Sequence, residues 1–531
     1  KIMSLNNNIN REEIKKHLEG FLQEVGGTFD HSTRIVAVAE EEEKEDKILN
    51  EVKHILESEL SHKRETNLTS EHSHDALLPQ LSGKYILWIE DEPDYIKNLN
   101  IRKQCGIRVE ILNPCDRIKR DTTLRKAVKS MFDDFIEKKG PPCLIVLDIL
   151  HQCKNSIHIH GKYFLQAIRK NDKTKNVPVL ALTVVEDFST LKDLFLPEHY
   201  EGIDDYIHKP SSAPRHLIKN EEFVAEVVLK IKMWLKKESA SKIRPMLGFV
   251  ANKKLWKRIN DVTNFLKRVD RLLHQGEKHS HMIVFLEGKR GTGKDLVAKL
   301  LHYILERDEK PFIHHLLSGT PQTLRASILR GWIKGCFTDA REDKEGLLEQ
   351  AHQGTLFLNE IHLTPPEGTE TIRKYLDEGT VSRLCDEKNE REVDVFLIFA
   401  TNVEYDELVN NLHQDFVDRI YHNVISLPTL REREKDIKVL FLYFLKKWKK
   451  RLDVEIEISG DIEDSLKFLE NYEWPGNVRE FERRFVDELV LRCYDGKKEK
   501  VIISAEKLKE LIKELEAVSY THLTLPTTER V

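Results

Sequence analysis

Glu90, Asp91 and Glu92 directly follow a short apolar run at 85–89, and Asp148 stands alone behind a second run at 144–147. In an open parallel sheet, ligands collect beyond the carboxyl ends of the strands, so acids in these places converge on one site. Carboxylates held together repel one another and are stable with a cation. Hard oxygen donors with open positions suit Mg²⁺. An Asp clamped by a metal can act as a nucleophile for phosphoryl transfer. Thr183, behind the run at 179–182, and Lys209, behind 204–208, supply a hydroxyl and an ammonium for the new phosphoryl oxygens. His158 and His160, in the stretch after Asp148, read as surface histidines of an insertion rather than as ligands.

A second constellation begins with Gly288, Lys289, Arg290, Gly291, Thr292, Gly293, Lys294 and Asp295, placed after an apolar run at 282–286 and before a helical pattern at 296–305. Strand, glycine loop and helix are the requirements of a P-loop. The glycines let backbone N–H groups curl around phosphate oxygens, the helix N-terminus adds partial positive charge, and Lys294 reaches the terminal phosphates. Farther on, the run 354–358 ends in Asn359 and Glu360, where an NTPase places a metal-holding acid and a water-activating glutamate. Asn402, after the run 395–400, suits a γ-phosphate sensor, and Arg479 opens a later helix from which it could close over the nucleotide. The implied cofactors are ATP and Mg²⁺.

These residues need elements to hold them. Apolar runs at 85–89, 108–112, 144–147 and 179–182 alternate with helical patterns, the signature of a parallel sheet wrapped by helices over 83–237. A basic linker at 238–250 leads to a second, larger α/β domain at 251–430 and a helical lid at 431–517. Residues 1–82 hold two amphipathic patterns, at 11–25 and 44–60, followed by polar linker, and suggest no function. The tail 518–531 is unlike the charged helix before it and resembles translated sequencing-adapter sequence. With Lys1 in place of methionine, either end is open to being incomplete.

The region 84–237 resembles the bacterial response-regulator receiver domain: an acidic pair after the first strand, a lone Asp after the third, Thr after the fourth, Lys-Pro after the fifth. The resemblance implies a flavodoxin-like fold with Asp148 as phosphoacceptor, Glu90 and Asp91 as metal ligands, Thr183 and Lys209 as phosphoryl binders and Tyr206 as the aromatic switch. Its partner would be a sensor histidine kinase. The stretches 91–148 and 148–161 are longer than the receiver pattern, which bears on loop geometry more than on chemistry.

Residues 246–511 resemble the sigma-54-dependent transcriptional activators of the AAA+ class, in the glycine loop, in 354–360, in 427–433 and in 474–480. The resemblance implies an AAA+ α/β fold, a homo-oligomeric ring in which Arg419 completes a neighbour's pocket, and the sigma-54 RNA polymerase holoenzyme as partner. The family's loop reading Gly-Ala-Phe-Thr-Gly-Ala is here Gly335, Cys336, Phe337, Thr338, Asp339, Ala340, so the contact residues Phe337 and Thr338 are kept. Other positions depart: Asn359 replaces the metal-holding acid, His413 the first of two trans arginines, and Leu316 the asparagine that restrains the catalytic glutamate.

With 85 basic and 90 acidic residues, the net charge of −5 gives no broad footprint for nucleic acid. Nothing after 504–517 has the length for a helix pair, so a DNA-binding domain is not expected in this chain. No stretch approaches the roughly 18 consecutive apolar residues of a membrane span, and a cytoplasmic protein is expected. Seven scattered cysteines without a C-x-x-C pair read as reduced thiols. Two main functions compete: a motor in which phosphorylated Asp148 controls ATP-driven remodelling of sigma-54 polymerase, and a switch that binds phosphate and nucleotide without productive hydrolysis. An AAA+ remodeller of another target is the third.

Overall fold

The computed structural model describes residues 83–524 except 93–95, 97–98, 100, 117–123, 154–156, 185–186, 210–220, 236–252, 274–281, 308, 339, 387, 495 and 497–498. The expectations for 1–82, the linker 238–250, Asp339 and the end of the tail therefore lie outside the described residues.

The first sheet is built from runs apolar on both faces. Strands β1 (Tyr85–Ile89), β3 (Leu144–Asp148) and β6 (Val179–Thr183) are buried along their whole length, as expected for parallel strands covered by helices on each side. With β2 (Arg108–Leu112) and β7 (Asp205–His208) they form a parallel sheet in the order β2-β1-β3-β6-β7. This is the flavodoxin-like order, with its ligand crevice at the β1/β3 switch point. Helices α1 (Ile101–Cys105), α2 (Leu124–Lys139), α3 (Lys162–Lys170), α4 (Phe188–Phe195) and α5 (Glu221–Leu235) complete the unit. The long stretch behind Asp148 is an antiparallel hairpin, β4 (Leu150–Cys153) and β5 (Ile157–His160). Gly161 is the N-cap of α3, and a Cβ there would meet the Asp148 carbonyl at 2.7 Å.

Helix α6 (Lys253–Leu273) precedes a second parallel sheet, order β16-β8-β15-β12-β9, formed by β8 (Ile283–Glu287), β9 (Phe312–Leu316), β12 (Thr355–Asn359), β15 (Phe396–Thr401) and β16 (Ile425–Ser426). Helix α7 (Lys294–Ile304) leaves the glycine loop. Two small antiparallel hairpins project from this sheet domain: β10 (Gly331–Trp332) with β11 (Lys344–Glu345), and β13 (Thr380–Val381) with β14 (Arg391–Glu392). Helices α8 (Pro366–Glu378), α9 (Tyr405–Leu412) and α10 (Gln414–Ile420) cover one face.

The lid comprises α11 (Asp436–Leu452), α12 (Glu463–Asn471), a helical run at 477–493 and α13 (Ala505–Thr524). It is not wholly helical as expected: β17 (Glu455–Ser459) and β18 (Lys500–Ser504) pair in parallel, with the alternate residues Ile456, Ile458, Val501 and Ile503 buried. Helix α13 also continues past 517 into the expected tail, as far as Thr524. Helix α11 packs on α4 of the first domain. Phe188 and Phe441 lie 6.4 Å apart, and the Lys446 ammonium donates to the carbonyls of Ile203 (2.5 Å) and Gly202 (3.4 Å). Burial lowers the Lys446 pKa. No helix among the described residues is long and apolar enough to cross a membrane.

The cysteines correct the reading of reduced thiols. Cys336 and Cys385 are joined by a disulfide, and Cys115 is disulfide-bonded, while Cys105, Cys143 and Cys493 are thiols, that of Cys143 donating to the Tyr85 carbonyl at 3.2 Å. Cys336 and Cys385 lie 49 residues apart, and two separate hairpins bring them together.

Candidate functional sites

At the carboxyl end of the first sheet, ligand oxygens of Glu90, Asp91 and Asp148 all lie within 4.8 Å of one another. Glu90 and Asp148 are buried. The Lys209 ammonium donates to Asp148 Oδ2 at 2.5 Å and to Glu90 Oε2 at 3.3 Å. Burial works to lower the Lys209 pKa, and the two carboxylates outweigh it, leaving the pKa above the ordinary lysine value. Glu92 is pushed up, first by burial and then by Asp91. Three carboxylates this close repel one another unless a cation joins them, so the donor set fits a hard divalent cation. Thr183 is fully buried at the end of β6, and its carbonyl accepts from the Lys209 N–H at 2.7 Å. Tyr206 lies inward, 2% exposed, with its ring 6.5 Å from Phe195 of α4. All five residues singled out for the first site therefore meet at one sheet end, with Tyr206 just behind. His160 accepts from the Lys162 N–H through Nδ1 at 3.1 Å.

The glycine loop shows why its residues are what they are. Gly288, Gly291 and Gly293 all have positive φ. At Gly291 a Cβ would lie 2.1 Å from the Gly476 carbonyl, so any side chain there would push the lid off the loop. Thr292 is buried with its hydroxyl on the Lys289 carbonyl. Lys294 is 7% exposed, and its ammonium turns back onto the loop carbonyls of Gly288 (2.5 Å) and Lys289 (3.2 Å). Asp295, in the first turn of α7, accepts from Asn359 Nδ2 at 3.3 Å.

Asn359 Oδ1 in turn accepts from the Glu360 N–H at 2.9 Å, and Glu360 sits in the left-handed region with φ 60°. One Glu360 oxygen meets Arg290 at 3.4 Å while the other, Oε2, is buried without a partner. Asn402 Oδ1 is likewise buried without a partner. Buried polar atoms are normally satisfied, so two orphans at the ends of β12 and β15 point to a polar ligand in this space. Leu316 is the cross-strand partner of Asn359 and is 42% exposed, so no amide restrains Glu360 from that strand. A cavity of about 800 Å³ is lined by Gly288, Lys289, Asn402, Tyr421, Leu427 and Trp474 among others. Arg479 lines a smaller one with Arg290, Gly291 and Gly476. Arg419 lies on α10 and pairs with Asp377 of α8.

Two residues with no role assigned from the sequence join lid to loop. Asn477 donates to the Arg290 carbonyl at 2.8 Å and accepts from the Leu430 N–H, and buried Arg433 donates to the Thr292 carbonyl at 3.1 Å. Both lie inside segments already noted, 474–480 and 427–433, but their targets are distant in sequence and visible only in the fold.

Burial pulls the Lys294 pKa down to about 8, against the upward pull of Asp295 and Glu360. Triphosphate beside the ammonium favours the charged form, so the pKa in the complex lies above that of the free protein. Binding of ATP above pH 8 should therefore take up a proton. Affinity should fall with rising pH by up to about one decade per unit until the pKa of the complex is passed. Calorimetry in buffers of different ionisation enthalpy reads the uptake directly; a buffer-independent enthalpy at pH 9 would contradict it.

A sigma-54 interaction domain model matches residues 259–428, and an AAA+ ATPase lid domain model matches 431–522. The chain is 32% identical over 236 residues to the Psp operon transcriptional activator of Escherichia coli (strain K12), covering 44% of this chain and 71% of that protein. It is 31% identical over 326 residues to the DNA-binding transcriptional regulator NtrC of Proteus hauseri, covering 61% and 64%. With the phenol regulator MopR of Acinetobacter guillouiae it shares 32% identity over 252 residues, covering 47% and 44%. Among solved structures, NtrX from Brucella abortus in complex with ATP is 22% identical with a TM-score of 0.42, covering 82% of this chain and 86% of that one.

Proposed function

This chain belongs to the sigma-54-dependent transcriptional activator family, and on that footing we propose that it couples phosphorylation at Asp148 to ATP-driven remodelling of the sigma-54 RNA polymerase holoenzyme. The observation that carries the nucleotide part is the pair of orphaned oxygens, Glu360 Oε2 and Asn402 Oδ1, beside a glycine loop whose lysine is already buried. ATP would be held by the backbone of Gly288, Gly291, Thr292 and Gly293 and by Lys294. Mg²⁺ would be held by the Asp295 and Asn359 side chains together with the phosphates, and it supplies charge neutralisation at the transferred phosphoryl group. Glu360 positions and deprotonates the attacking water, Asn402 orients it against the γ-phosphate, and Arg479 closes from the lid. Arg419 acts on the pocket of the next subunit in a ring, exchanging Asp377 for that site. Phe337 and Thr338 present the contact to sigma-54.

In the first domain, Asp148 receives a phosphoryl group from a sensor histidine kinase; Glu90 and Asp91 would hold Mg²⁺, which would supply charge neutralisation there. Lys209 then exchanges a carboxylate for a phosphoryl oxygen, Thr183 follows, and the shift reaches Tyr206 and α4. The packing of α4 on α11 gives that shift a direct route to the lid.

A second reading has its own observation: the Asn359 amide donates to Asp295, so the position that should hold a metal ion is occupied by a neutral hydrogen-bond donor. In that reading the chain binds ATP and partners without productive turnover. One experiment tests both: the full chain is first tested for binding of Mg²⁺–ATP and then, with a small-molecule phosphodonor, assayed for phosphorylation at Asp148, ATP hydrolysis and retention of sigma-54 holoenzyme. The motor gives all three, with phosphorylation lost in Asp148→Asn. The switch gives phosphorylation and retention without hydrolysis. Failure to bind ATP would overturn both.

A further inference from the structure

We propose that Cys336 and Cys385 form a reversible thiol–disulfide exchange site that fastens the 335–340 loop, closed when oxidised and released by a dithiol. This rests on reading that loop as the sigma-54 contact.

The two hairpins that carry these cysteines are joined at their bases without the sulfurs. Leu384 donates to the Gly331 carbonyl at 3.0 Å, Ile333 donates to the Leu384 carbonyl at 3.3 Å, and Arg330 bonds the carbonyl and hydroxyl of Ser382. Arg383 is fixed by Glu349. Farther out, among the described residues, Gly335 donates to the Ala340 carbonyl, Ala340 to the Phe337 carbonyl and Lys334 to Asp343, all within the loop's own hairpin, while the Cys385 sulfur lies 3.8 Å from the Cys336 carbonyl. The Phe337 ring lies edge-on to Trp332 at 5.2 Å, and Lys344 covers the Trp332 ring at 4.9 Å. The disulfide is thus a covalent tie to the second hairpin at the place where Phe337 and Thr338 must leave their own hairpin to meet a partner. Breaking it frees the loop tip while the bases stay joined.

Accessibility permits exchange. Cys385 is exposed at the outer end of its hairpin, with φ 65°, and Cys336 is half-buried behind it. A thiolate of an incoming dithiol attacks Cys385 Sγ, the bond to Cys336 breaks, and Cys336 leaves as a thiolate that takes a proton. The second thiol of the reductant then displaces Cys385 from the mixed disulfide. Two protein thiols and one oxidised dithiol result, with two electrons transferred. Lys294, Glu360 and Asn402 take no part, so ATP binding is independent of the exchange.

The test uses the full chain purified in air, the same protein treated with dithiothreitol, and Cys385→Ser. Backbone hydrogen exchange over 333–340 should be faster by about tenfold in the reduced protein and in Cys385→Ser than in the oxidised one. Equal ATP affinity is expected in all three. Retention of sigma-54 holoenzyme with Mg²⁺–ATP should rise by about tenfold on reduction, and Cys385→Ser should be insensitive to dithiothreitol. Equal exchange in all three proteins, or air-purified protein whose Cys336 and Cys385 both label with a thiol reagent, overturns the fastener. Equal retention, with polymerase bound in every case, overturns the control while leaving the sigma-54 reading intact. If none retains polymerase although all bind ATP, the sigma-54 reading fails, and the exchange rates still decide whether the disulfide holds the loop.

Discussion

A Lys294→Ala variant should bind Mg²⁺–ATP on the order of 10²-fold more weakly than the unaltered chain, because charge-assisted hydrogen bonds contribute about 1.5–3 kcal/mol each. The geometry makes this a sharp test. Lys294 is 7% exposed and its ammonium now donates to two carbonyls of the glycine loop, Gly288 and Lys289. Triphosphate offers stronger acceptors in the same place, so the ammonium turns outward on binding without new desolvation. In the nucleotide-free chain the charged form is already disfavoured by burial, as the pKa near 8 shows. Alanine should therefore leave the melting temperature of the free protein nearly unchanged or raise it. The ATP-dependent rise in melting temperature should disappear, since stabilisation by ligand follows occupancy. Calorimetry for affinity and thermal melting with and without ATP separate loss of binding from loss of folding. Unaltered affinity would remove Lys294 from the phosphate site.

How much of this could be read from the residues depends on where each signal lies. Strands β1, β3, β6, β8, β12 and β15 were legible because a parallel strand buried on both faces is a continuous apolar run. Their ends moved by one residue at most, and that was enough to place Asp148, Thr183 and Asn359 on the last residue of a strand. Convergence of Glu90, Asp91, Asp148 and Lys209 followed from one topological rule. Strands β17 and β18 were missed for the opposite reason. β17 alternates polar and apolar residues and β18 holds only three consecutive apolar ones, both between long helical patterns, so in a short window they look like helix flanks. The contacts of Asn477, Arg433 and Arg290 with the nucleotide loop and its glutamate span 70–187 residues and leave no local trace. The Cys336–Cys385 pair is of the same kind, and counting cysteines pointed the wrong way.

Asn359→Asp should raise ATP hydrolysis by on the order of 10²-fold, the usual effect of restoring one electrostatic contributor at a reacting phosphate. The structure shows what the amide does instead. Its nitrogen donates to Asp295 Oδ1 at 3.3 Å and its oxygen receives the Glu360 N–H at 2.9 Å. Aspartate keeps the second bond, which helps hold Glu360 in its left-handed backbone conformation. The first bond becomes a close approach of two carboxylates, which is unfavourable without a cation. The variant should therefore melt lower than the unaltered chain in chelator and recover with Mg²⁺, a metal dependence that the asparagine protein lacks at this site. Hydrolysis should rise only in the presence of Mg²⁺, with ATP affinity changing far less, because Lys294 and the glycine loop are untouched. Asn359→Ala, which removes both bonds and adds no charge, should gain no activity. Equal turnover in the unaltered chain and Asn359→Asp would mean that the neutral amide does not limit the reaction. The absence of an amide at Leu316 to restrain Glu360 would then be the next site to alter.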